Sequence, residues 1–229
     1  MFQRFTKAVQ NSVARVRGRG QQTTDDSRIT SEKYIRYALT LDDPNLKRKK
    51  LLAIAGQFQK ERKYFQASDI LMELISATPM NQIDIQIYLT LSECLVSAKN
   101  TTAALQLLLS LDSKRTDPED RLQIAAGIRD VYRKKTLFKE ALIYDVVTYC
   151  RHVYKERKKP SPPDDKGSDI TTLLDTENMS KRLLHSLQLA GAMQFRKILI
   201  SQMSQYIKTN TTYSIPQIEK FVKDAIRSR

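Results

Sequence analysis

Three alanines, Ala67, Ala104 and Ala141, stand 37 residues apart, each at the same place in a recurring apolar pattern. Self-similarity at a period of roughly 20–50 residues means stacked supersecondary units, so this spacing constrains the fold before any local reading does. Sixteen, thirteen and nine residues ahead of the alanines come Leu51, Ile54 and Phe58, then Tyr88, Leu91 and Leu95, then Ala125, Ile128 and Tyr132. Those offsets place an apolar stripe along one helix. Leu71 and Leu74, then Leu108 and Leu111, continue the pattern beyond the first two alanines, and it fades to Asp145 and Thr148 in the third copy. Pro79 and Pro118 follow the first two copies closely, where a second helix must stop. Each copy between residues 48 and 148 therefore reads as helix, tight turn, helix. A small side chain at the recurring alanine lets the helices approach closely, which a Leu would prevent.

The rest of the composition agrees. With 6 Gly, 7 Pro and no Trp among 229 residues, the chain has helical composition and is long enough to bury a sizeable core. No run of twenty apolar residues is present, so nothing is expected to span a membrane. Cys94 and Cys150 lie far apart and in no metal-ligand spacing, and read as reduced thiols rather than a disulfide framework. The formal charge of +14 favours a polyanionic neighbour, RNA or an anionic membrane, against the plainer reading of a presequence plus solvated lysines.

Residues 1–20 hold five basic side chains and no acid. At helical spacing Phe2, Phe5, Val9, Val13 and Val16 share one face, with Arg4, Lys7, Asn11 and Arg15 opposite, ended by Gly18 and Gly20. Such a basic amphipathic segment fits mitochondrial targeting, with a membrane-surface helix or a cap on the array as competing readings. Residues 21–31 read as a polar linker. Ser31 offers an N-cap to a helix carrying Tyr34, Tyr37 and Ala38 on one side, broken by Asp42, Asp43 and Pro44.

The third copy runs on through Tyr149, His152 and Tyr154 into a basic end, within an array spanning 32–157. A Pro-rich, charged linker follows over 158–168, then a C-terminal helical unit over 169–229. Within that unit ITTLLDTENM and SKRLLHSLQLAGAMQFRKILISQMSQYI read as one or two helices, with Leu183, Leu187, Ala190, Met193 and Ile198 spaced for burial. Ser214 caps a last helix with Pro216 in its first turn and Ile215, Ile218, Val222 and Ile226 on one face.

Catalytic constellations are missing from this pattern. His152 and His185 stand alone, and no nucleophile elbow, phosphate-cradling loop or metal spacing occurs. The pairs Asp25–Asp26, Asp42–Asp43 and Asp164–Asp165 fall in breaks, where capping and solvation account for them. The expectation is a non-enzyme with no cofactor, no metal and no small-molecule substrate.

Ala55 and Ser92 in the first helices, the aromatics Tyr64 and Phe138, the alanines that follow them and the closing prolines resemble the tetratricopeptide repeat family. Departures are the missing Trp, Arg62 and Thr136 in place of the turn glycine, and a spacing of 37 instead of about 34. The resemblance implies an all-α fold: a right-handed helical-hairpin array with capping helices and a C-terminal helical unit. It also implies a concave partner-binding face formed by Lys49, Leu52, Gln59, Leu89, Glu93, Val96, Gln123, Asp130 and Arg133. The family's clamp for chaperone tails would fall on Leu52, Gly56, Thr90, Gln123 and Gly127, none of which matches, so those tails are not expected ligands.

The expected function is a protein–protein interaction scaffold or assembly factor within a larger complex. Two alternatives stand beside it: an RNA-associated component of an organellar ribonucleoprotein using basic helices 129–135 and 151–159, or a membrane-surface adaptor anchored by residues 1–20. The expected location is mitochondrial, through a targeting face of Phe2, Arg4, Phe5, Lys7, Val9, Val13 and Arg15; the alternative is cytoplasmic and membrane-peripheral.

Overall fold

The computed structural model describes residues 32–38, 40–78, 82–157, 177–210 and 214–227. Every regular element among them is helical, and the protein is all-α with consecutive helices packed on one another. The chain divides into two compact units, Met1–Leu111 and Asp112–Arg229. That division groups the third hairpin with the C-terminal helices, where the sequence pattern groups it with the first two.

The first unit holds α1 (32–38), α2 (Pro44–Lys60), α3 (Tyr64–Ser76), α4 (Ile85–Ser97) and most of α5 (Thr101–Lys114). Asp43 caps α2 by accepting from the Asn45 amide, and Pro44 opens the helix at a position whose N–H has no intrahelical partner. Asp84 caps α4 in the same way through Gln86. Leu51, Phe58, Ala67, Leu71, Tyr88, Leu91 and Leu95 form the core at 4 % exposure or less, as the periodicity requires. Tyr34 of α1 meets Phe58 edge-on at 5.7 Å.

The hairpin turns repeat as strictly as the alanines do. Arg62, Lys99 and Thr136 adopt φ of 59°, 61° and 59°, again 37 residues apart. In each turn the following amide reaches back to the last residue of the apolar stripe: Lys63 to the Phe58 carbonyl at 2.8 Å, Asn100 to Leu95 at 2.7 Å and Leu137 to Tyr132 at 3.0 Å. This left-handed helix ending satisfies carbonyls that the helix itself leaves open. Four residues after each of those amides lies the recurring alanine, at most 2 % exposed in all three copies.

The second unit contains α6 (Pro118–Lys134), α7 (Phe138–Arg157), α8 (Glu177–Leu189), α9 (Arg196–Thr209) and α10 (Ile215–Arg227). Asp117 caps α6 by accepting from the amides of Glu119 and Asp120. α7 packs against α6, α8, α9 and α10 and is the centre of the unit. One expectation is overturned here. The helical segment read over 180–207 is broken after Leu189 by Gly191, whose φ is 62°, with the Ala192 amide bonded to the Leu187 carbonyl at 2.8 Å. This is the same ending as in the three repeats, now with the glycine that a positive φ favours. A short 3-10 turn, Met193–Phe195, then resets the register. Leu187 is therefore buried, but Met193 and Ile198 are 39 % and 41 % exposed, and α9 buries Leu199, Met203 and Ile207 instead. In α10, Ile218 and Val222 are buried as expected. The Tyr206 hydroxyl accepts from the Ser214 amide at 2.6 Å, and its ring lies 5.4 Å from Phe221.

Candidate cleft in the second unit

Three helices, each contributing residues at helical spacing, form the walls of a cleft of about 450 Å³ in the second unit. α6 contributes Leu122, Gln123, Ala126 and Arg129, at intervals that keep them on one face. α7 contributes Asp145, Thr148, Tyr149 and His152 by the same rule, and α8 closes the third side with Arg182 and Leu183. Leu122, Ala126 and Leu183 supply apolar surface, and the remaining seven side chains carry polar groups.

A buried charge cluster holds this wall. Asp145 is almost fully enclosed, its side chain 6 % exposed, and it takes the Arg133 guanidinium at 2.9 Å and that of Arg129 at 3.5 Å. Ser186 of α8 donates to the same carboxylate and accepts from Arg133 at 2.5 Å. Burial raises the Asp145 carboxyl above the ordinary aspartate range, against the opposing pull of Ser186, Arg133 and Arg129. Arg129 is penalised by burial but more than recovers through Asp130, 2.9 Å away, and Asp145, so its charge is held firmly. Beside the cluster, Arg151 of α7 and Asp112 form a second buried pair at 2.7 Å, and Arg151 also donates to the Arg121 carbonyl.

The residues expected on a concave face separate between the units. In the first, Lys49 and Glu93 are exposed, Leu52, Leu89 and Val96 are half-buried, and Gln59 donates to the Cys94 sulfur at 3.1 Å. In the second, Gln123 lines the cleft, Asp130 is exposed beside Arg129, and Arg133 turns inward to Asp145 and Ser186. Of the basic side chains in the segments 129–135 and 151–159, Arg129, Arg133 and Arg151 are all engaged inside the protein. The targeting face over residues 2–15 lies outside the described residues.

Sequence periodicity missed Arg129, Asp145, Tyr149, Arg182 and Leu183 as a group. The available signal was the fading of the third copy, where Asp145 and Thr148 replace the leucines of the first two. Both replacements line the cleft. Among the described residues no three His, Cys, Asp or Glu side chains are grouped to hold a metal, and no helix is long and apolar enough to cross a membrane.

These features define an all-α protein of sequentially packed helices that carries a cleft beside a buried charge cluster. No family model, curated protein or solved structure matches the chain.

Proposed function

We propose that this chain is a non-enzymatic interaction scaffold or assembly factor working within a larger complex, and that the cleft between α6, α7 and α8 holds its partner. The observation that carries this reading is the cleft itself, with a wall fixed by the Asp145 cluster, apolar surface from Leu122, Ala126 and Leu183, and Arg182 on its third side. Arg129 is already engaged by Asp145 and Asp130, which leaves Arg182 as a cleft cation outside that cluster. A segment with an apolar anchor and an acidic side chain suits that surface.

The recurrence of this turn at Arg62, Lys99 and Thr136 supports a repeated, tetratricopeptide-like hairpin. The inward engagement of Arg129, Arg133 and Arg151 favours a protein partner over phosphate, since those guanidinium groups are taken. The amphipathic residues 1–20 support delivery to mitochondria, which a fusion of residues 1–30 to a fluorescent protein tests; a diffuse cytosolic signal refutes that part.

For the cleft, a photo-crosslinking residue replaces Leu183 in the full chain, with Ala126→Phe as a variant whose cleft is filled. A discrete partner that disappears in the filled variant is the expected result. An adduct pattern indifferent to Ala126→Phe overturns the assignment.

A further inference from the structure

The corner between α8 and α9 contributes no residue to the cleft. Three large apolar side chains, Leu189, Met193 and Ile198, are 37–41 % exposed within ten residues. Isolated exposed apolar side chains are ordinary on a protein surface, but such a concentration marks a contact site. At the start of α9, Arg196, Lys197 and Ile198 are all exposed in succession. Consecutive helical residues point about 100° apart, so this turn projects clear of the unit instead of resting one face on it.

The charges on this projection have one sign. Arg196 and Lys197 have no ion pair or side-chain hydrogen bond among the described residues, and the sequence holds no acidic residue from 178 to 218. The first hairpin corner differs, because there Lys63 is matched by Glu61 at 2.7 Å. No side chain caps α9, and the positive end of its dipole adds to the cationic field.

We propose that the α8–α9 corner is a docking site for an anionic phospholipid surface. Met193, Ile198 and Leu189 enter the boundary between headgroups and acyl chains, while Arg196 and Lys197 reach the phosphates. A projecting knob, apolar at its tip and cationic around it, fits a deformable planar surface, where a protein partner would need a recess shaped to receive it.

An environment-sensitive dye at Gln194→Cys in the full chain reads the corner, and Lys208→Cys near the far end of α9 is the control. Phosphatidylcholine vesicles containing phosphatidylserine should blue-shift the dye at 194 and leave the one at 208 unchanged. Each cation near such a surface contributes about fivefold in partition, so Arg196→Gln with Lys197→Gln should weaken the response roughly 25-fold. Met193→Ser with Ile198→Ser should abolish the shift, and circular dichroism checks that each variant retains its helices. No shift at 194 while the protein still floats with vesicles overturns the proposal and leaves residues 1–20 as the attachment. An equal response to pure phosphatidylcholine, or the same shift with soluble polyglutamate, also overturns it, the latter in favour of an acidic protein surface.

Discussion

Replacing the buried pair Asp112–Arg151 tests whether charge pairing or apolar burial fixes the second unit. The two side chains are 6 % and 2 % exposed, with contacts of 2.7 Å and 2.8 Å between their facing atoms. Removing one partner leaves the other as an uncompensated charge in a site closed to water, which destabilises by about 3–5 kcal/mol. Asp112→Leu and Arg151→Met should each lower stability by that amount. At about 2–4 °C per kcal/mol for a chain of this size, each melting temperature falls by roughly 6–20 °C. The double variant leaves neither charge behind and keeps similar volume. It loses mainly the hydrogen bond to the Arg121 carbonyl, so it should lie within about 1–2 kcal/mol of the parent. Urea unfolding followed by circular dichroism measures all three variants, and the cycle isolates the coupling. Single losses below about 1 kcal/mol, or a double loss equal to their sum, would refute the reasoning.

The turns give a test of opposite signs: Gly191→Ala should destabilise by about 1–2 kcal/mol because its φ is 62°, although nothing obstructs the added carbon. Gly56→Ala, inside α2 and equally open, should stabilise by about 0.5–1 kcal/mol, and Thr136→Gly should stabilise by relieving a β-branched residue at φ 59°, all read by thermal melts. Asp145 has a carboxyl raised in the folded state, so its own contribution is fully present below the ordinary aspartate range and declines as pH rises through the folded value. The stability of the parent minus that of Asp145→Asn should therefore fall across that window, and a difference that grows with pH contradicts it. Both thiols are buried, with Cys150 pushed up to about 12 by desolvation and Cys94 also raised, so neither should react with iodoacetamide at neutral pH until the chain is unfolded; rapid alkylation of the native protein would show otherwise.

The sequence by itself determined the helices and the repeated hairpin. Those features rest on interactions within about five residues: the apolar stripe ending at Phe58, Leu95 and Tyr132, caps such as Asp43 and Asp117, and prolines that start helices without losing a bond. The recurring alanines are buried because a 3.6-residue period fixes which face turns inward. Only the tertiary structure decided what lies against that face. Asp145 meets Ser186 across 41 residues and Asp112 meets Arg151 across 39, and no local period encodes either meeting. A charge in the middle of an apolar stripe reads as a fading repeat until the helix that covers it is known. The break at Gly191 was hidden for a related reason, since Met193 and Ile198 continue a helical spacing that the chain abandons. A glycine in a helical pattern takes a positive φ when ending the helix there lets Leu199, Met203 and Ile207 of the next one reach the core, and burial of those three side chains decides it.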